Sequence, residues 1–262
     1  MDSTQQNRAA IFDLDKTILA TSSALAMRKP LRKAGFITLS EAIVATISQV
    51  PFLLFGEADK RNDRIRNQLS RLATGWHLES LNAIVRDASA SAMHPQCYAQ
   101  ALDLIQTHKA GGYKIVIATA SPLPLVAPLA ELIGADHTLA TEVTIQNGLL
   151  TGEIADFNHG ALKARAVKRL ADREGWDLSE CWAYSDSISD IDLFNLVGNP
   201  VAVNPDRHLR QVARENDWPI YRFNRTVELH PSRYIATGIA VGAITAAALA
   251  GAYFAFNSRG RA

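Results

Sequence analysis

The feature that most constrains this chain is a series of short apolar runs, each ending in polar residues and separated by helical periodicity. "RAAIFDLDKTIL" (Arg8–Leu19), "YKIVIATAS" (Tyr113–Ser121), "CWAYSDS" (Cys181–Ser187) and "PVAVN" (Pro200–Asn204) each read as a buried strand. Runs without alternation need apolar cover on both faces, as in a parallel sheet. Helical patterns lie between them: "PLVAPLAELIGA" after the second run, "GALKARAVKRLADREG" before the third and "ISDIDLFNLVG" after it. Strand alternating with helix predicts a doubly wound α/β core around a parallel sheet. In such sheets ligands bind outside the carboxyl ends of the strands.

Two segments stand outside this alternation. Residues 20–108 are mostly helical in pattern, as in "LSEAIVATISQVPFLLF" and "KRNDRIRNQLSRLA", and interrupt the core directly after its first strand. They read as an inserted helical cap, which leaves 8–19 and 109–225 as a discontinuous catalytic core. Residues 235–256 carry no charge. A helix of that length is about 33 Å long, enough to cross a hydrocarbon core. The expectation is a C-terminal transmembrane helix, with the catalytic part in the cytoplasm because the polar N-terminus has no signal-peptide pattern. The competing reading packs this hydrophobic helix on the protein. Gly238-x-x-x-Gly242 with Ala246 forms a small-residue stripe that would allow helix pairing, hence a homodimer. A net charge of +1 over 262 residues gives no basic excess to suggest nucleic acid. Cys97 and Cys181 stand apart from one another and read as reduced packing thiols.

The acids carry the functional signal. Asp13, Asp15, Asp186 and Asp190 all fall at predicted strand ends, together with Thr119. Two unit charges 4 Å apart repel by about 4 kcal/mol at an effective dielectric near 20. Gathered carboxylates therefore need protons or a cation, and an all-oxygen site suits Mg²⁺. Lys163, on the helix before the third strand, supplies a further positive charge. Thr119 and the backbone N–H groups after it, at a helix start, suit anionic oxygens. A nucleophilic Asp, a metal, a Lys and a Thr make a phosphoryl-transfer site. Ser121 is given only a supporting contact with substrate. Asn204 and Asp206 read as a turn, and no His has zinc spacing.

These residues resemble a known family. "DLDKT" matches the DxDx[TV] signature of the haloacid dehalogenase-like phosphohydrolases, Thr119 in "IATAS" the second motif, Lys163 the third and "SDSISD" the fourth. Order and spacing resemble the phosphoserine-phosphatase-like branch, whose helical cap follows the first motif; the likeness spans about Arg8 to Phe223. It implies a Rossmann-like core, Asp13 as nucleophile forming an aspartyl-phosphate, and Asp15 as general acid and then base. It implies Mg²⁺ held by Asp13, the Asp15 carbonyl and Asp186. Asp190 supports the metal through water or directs Lys163, and Thr119 and Lys163 grip the phosphate.

The substrate stays open. Phosphoserine phosphatases carry a Glu a few residues beyond the first motif to receive the substrate's amino group. Here Ser22 stands near that place, and no acid lies between Asp15 and Glu41. Arg66 or Arg71 would be available to a substrate carboxylate. The apolar 42–55 segment and the tail instead suit a membrane-lipid phosphate, such as lysophosphatidate or phosphatidylglycerophosphate. The non-enzymatic rival is a membrane-tethered phosphate-binding protein, which would have no need of a general acid at Asp15.

Overall fold

The computed structural model describes residues 7–38 and 73–227. Its centre is β1 (Ala9–Phe12), four residues without exposed surface. β1 pairs in parallel with β2 (Lys114–Pro122) on one side and β5 (Trp182–Ser185) on the other. With β3 (His137–Gln146), β4 (Leu149–Asp156), β6 (Asn199–Val203) and β7 (Ile220–Tyr221), the sheet runs β4-β3-β2-β1-β5-β6-β7. All neighbours are parallel except β3 and β4. The chain steps outward from β1 to β4 and then returns to β5. The topological switch therefore falls at β1, where the acids leave the sheet.

Alternation along β1 divides the core. Ala10 and Phe12 join Ile115, Ile117 and Tyr184 on one face, while Ala9 and Ile11 join Val116, Ala118 and Ala183 on the other. The first face is covered by α1 (Ser23–Lys33), α2 (Leu78–Ala88), α3 (Ala99–Ala110) and α4 (Leu123–Leu132). The second is covered by α5 (Ala161–Glu174), the four-residue α6 (Ile191–Phe194) and α7 (Arg207–Glu215). Complete burial of each large aliphatic side chain stabilises by about 1.5–3 kcal/mol. The doubly wound α/β core expected from the sequence is thus present.

Three features differ from the sequence reading. β3 and β4 form an antiparallel hairpin that it left out, closed by Asn147 and Gly148 at φ +52° and +77°. Its strands are half-exposed, so no continuous apolar run marks them. β7 is a two-residue edge strand that the sequence reading also left out. The "ISDIDLFNLVG" pattern gives only a single turn over Ile188–Asp190 and the short α6.

The helices counted with the insertion do not stand apart from the core. α3 packs against β2, and Met27, Leu31, Leu81 and Val85 share one buried cluster with Phe12 and Ile117. The rest of the insertion, including the 42–55 segment, Arg66 and Arg71, lies outside the described residues, as does the 235–256 tail. Among the described residues no helix is long and apolar enough to cross a membrane. Cys97 and Cys181 are both buried and free.

Candidate active site

Asp13 follows the last residue of β1, and its N–H still donates to the Tyr184 carbonyl of β5 at 2.9 Å. That bond fixes the backbone where the side chain leaves the sheet edge. Lys163 reaches the same point from the first turn of α5. Gly160, before that turn, adopts φ +55° and ψ −130°, a conformation that side chains disfavour. The Lys163 ammonium donates to Asp13 Oδ1 at 2.8 Å and to Asp190 Oδ2 at 2.9 Å. Ser185, at the end of β5, donates to the same Asp190 oxygen at 2.6 Å. Asp13, Lys163 and Asp190 are all buried.

Burial dominates the electrostatics. It lifts the Asp13 carboxyl to about 7, against the pull of Lys163 and with the push of Asp190. It also works against the Lys163 ammonium, but Asp13 and Asp190 together hold that group above the usual lysine range. Asp186 is raised well above the usual carboxylate range by burial and then by the nearby Asp13 charge, with Lys16 opposing. Lys163 thus faces more negative charge than one ammonium can neutralise.

Asp15, two residues on, sits among neutral donors. The Ser23 N–H donates to its Oδ1 at 2.8 Å. The hydroxyls of Ser23 and Ser121 donate to its Oδ2 at 3.3 Å and 3.1 Å. The two hydroxyls lie 2.7 Å apart. Burial raises the Asp15 pKa, and these bonds oppose the rise. Thr119 is buried on β2, and its hydroxyl accepts from the Ser121 N–H at 3.1 Å.

The structure therefore brings Asp13, Lys163 and Asp190 into direct contact and places Asp186 within electrostatic reach of Asp13. It does not gather the four carboxylates Asp13, Asp15, Asp186 and Asp190 around one point. Among the described residues, no three His, Cys, Asp or Glu side chains converge on a metal position. The reason is local: Asp15 is turned into its serine donors and Asp190 is tied to Lys163 and Ser185. A smaller oxygen set still fits a divalent cation. Burial raises the Asp13 and Asp186 carboxyls by more than Lys163 and Lys16 offset. Hard anionic oxygens with surplus negative charge suit Mg²⁺.

Several supporting residues escaped the sequence reading. Ser23 holds Asp15. Asn158 donates to the carbonyls of Thr119 at 3.0 Å and Leu139 at 2.8 Å, tying β2 to β3 below the site. Asp206 does more than form a turn: its N–H donates to the Asp186 carbonyl at 2.8 Å. Its carboxylate accepts from the N–H groups of Ile188 and Leu209. An Asp placed to cap α7 was a readable signal; its second bond, to the Asp186 loop, needs the sheet order.

Comparison with known proteins gives the family. Residues 10–195 match the haloacid dehalogenase-like hydrolases. A probable phosphatase of Mycobacterium tuberculosis (strain H37Rv) is 40% identical over 94% of this chain and 88% of its own length. A protein of that strain named a phosphoserine phosphatase is 32% identical over 92% of this chain and 80% of its own. Among solved structures, a Bordetella pertussis protein of unknown function covers 82% of this chain and 98% of itself, with 26% identity and a TM-score of 0.72.

Proposed function

The chain belongs to the haloacid dehalogenase-like hydrolases and is a phosphatase of the phosphoserine-phosphatase-like kind, and from that premise we propose a Mg²⁺-dependent phosphomonoesterase working through an aspartyl-phosphate. The observation that carries the proposal is the buried Asp13–Lys163–Asp190 contact with Asp15 two residues away under different control. Asp13 attacks phosphorus with a carboxylate oxygen, forming an aspartyl O–P bond as the ester O–P bond breaks. Asp15 gives its proton to the departing alkoxide. Asp15, now a carboxylate, then takes a proton from water as that water attacks the phosphoryl group and restores Asp13. Lys163 keeps Asp13 oriented and offsets phosphoryl charge. Thr119 and the backbone after it bind the phosphoryl oxygens. Mg²⁺ would be held by Asp13, Asp186 and the Asp15 carbonyl, and when bound supplies positive charge against the transferring group.

In this reading 8–19 and 109–225 form the catalytic core and 20–108 the insertion, whose last helix, α3, packs on β2 and whose remainder is the cap. The Asp190 carboxylate, tied to Lys163, acts as the director of that lysine rather than as a metal ligand. The substrate proposed is a small phosphomonoester. L-Phosphoserine is the first to test because of the relative of that name. Loss of a Glu partner for its ammonium would cost about 1.5–3 kcal/mol. A lipid phosphate and a membrane anchor rest on the 42–55 and 235–256 sequences alone. Asp13→Asn is expected to abolish turnover of p-nitrophenyl phosphate while the fold stays intact. Undiminished turnover in that variant rejects the mechanism.

A further inference from the structure

The first residue of α1 touches the group that the chemistry needs, and nothing in the motifs assigns it a role. Ser23 is buried, with 1% of its surface exposed. Ser22 caps α1 through its hydroxyl, which accepts from the Leu25 N–H. The Ser23 N–H is therefore one of the first-turn donors that the helix itself cannot satisfy. It goes to Asp15 Oδ1 at 2.8 Å. The hydroxyl lies 3.3 Å from Asp15 Oδ2 and 2.7 Å from Ser121 Oγ, and in the second contact either oxygen can donate. A buried hydroxyl is costly unless it is hydrogen-bonded. Helix formation does not ask for a serine here, because the cap is already supplied by Ser22. The hydroxyl is thus explained by Asp15 and Ser121.

We propose that Ser23 is a positioning residue for Asp15, holding both carboxyl oxygens from the start of α1 so that the proton leaves toward the ester oxygen. The inference rests on reading Asp15 as the general acid. The Ser23 N–H on Oδ1 and the Ser23–Ser121 hydroxyl pair on Oδ2 fix the plane of the carboxyl group, so the acid is aimed before the ester arrives. Because Met27 and Leu31 of α1 share the buried cluster of Phe12, Ser23 ties the acid to a helix packed on the sheet.

The test uses the dependence on leaving group, read in kcat/KM, which reports only steps up to formation of the aspartyl-phosphate. p-Nitrophenolate departs with little need of a proton, whereas an alkoxide such as that of glycerol 2-phosphate needs one. Asp15→Asn should lose far more activity on the alkyl than on the aryl ester. Ser23→Ala should repeat that pattern at smaller size, with a loss of about tenfold on the alkyl ester, the value of one charge-assisted hydrogen bond. Its loss on the aryl ester should be slight, which also shows that the variant folds. If Ser23→Ala does not fold, Ser23→Cys, of similar shape and a weak donor, carries the same comparison. An equal loss on both esters, or no loss on either, overturns the role of Ser23 while Asp15→Asn still shows the bias. An unbiased Asp15→Asn overturns the general-acid reading itself.

Discussion

Asp13 and Asp15 stand two residues apart at one sheet edge in opposite surroundings. Asp13 meets a buried ammonium that it shares with Asp190. Asp15 meets a backbone N–H and two hydroxyls, none of them charged. Burial pushes both carboxyls upward. At Asp13 a cation opposes that push and favours the ionised group that a nucleophile must be. At Asp15 burial favours the acid while the neutral donors favour the carboxylate, a balance that suits a group that gives and then takes a proton. Alternation along β1 and the loop after it thus yields two chemistries from one residue type.

The largest effect should come from removing the cation. Lys163→Met leaves Asp13 and Asp190 buried with no positive partner. Breaking one side of a buried ion pair costs about 3–5 kcal/mol, which urea unfolding would register. Turnover of p-nitrophenyl phosphate should fall about 10³-fold, the scale for losing one preorganised charge-stabilising group. Near-normal stability in Lys163→Met would break the comparison, because the ammonium would then do nothing to offset the burial of Asp13.

His108 tests what burial does alone. Its ring is buried beside Tyr184, with Nε2 2.7 Å from the Tyr184 hydroxyl. Burial, helped by Arg8, lowers its pKa to about 4. The unfolded chain binds this proton near pH 6.5, so stability from the neutral ring is present above that pH. It fades as the pH falls toward 4. Acidification across this window should cost the wild type up to about 3 kcal/mol more than His108→Gln. Unfolding free energies of the two proteins at pH 7 and pH 4 measure the difference. Parallel pH profiles would show that the ring is solvated after all.

The legibility of this molecule divides along the same line. The central strands and the motif residues were readable because each demand is local: an apolar run without alternation, then a carboxylate. Asp13, Lys163 and Asp190 meet as the motif order implies. The β3–β4 hairpin was legible as well, since Asn-Gly between two alternating strands is the strongest short-range hairpin signal. Its half-exposed strands lack the continuous apolar runs that mark the central ones. Ser23, Asn158 and Asp206 were not legible as site supports. Each is an ordinary polar residue whose hydrogen bonds cross to another element, and only the assembled sheet edge reveals them.

A divalent ion should sharpen the contrast between the two carboxylates. Asp13 and Asp186 are carboxyls raised by burial that Lys163 only partly offsets, whereas Asp15 is held by serines. At a concentration one hundred times its dissociation constant, Mg²⁺ should stabilise the wild type by about 2.7 kcal/mol, and chelation should reverse this. Asp186→Asn should lose most of the rise in melting temperature, and Ser121→Ala should keep it. A rise that survives in Asp186→Asn would place the ion elsewhere.

The smallest effect should belong to Ser121, and its size is informative. Its hydroxyl donates to Asp15 Oδ2 and also lies against Ser23 Oγ, while its N–H donates to Thr119. Ser121→Ala removes the hydroxyl and leaves the backbone bond. Asp15 would retain the Ser23 N–H and hydroxyl, so the carboxyl group stays partly held. The loss in kcat/KM on an alkyl phosphate should be about fivefold, near 1 kcal/mol. If Ser121 and Ser23 act on the same oxygen, Ser23→Ala combined with Ser121→Ala should depart from the product of the two single effects. Independent effects would mean that Ser121 serves the phosphate instead, the role suggested by its place in the second motif. The double-mutant cycle therefore decides whether that serine belongs with the acid or with the phosphate cradle.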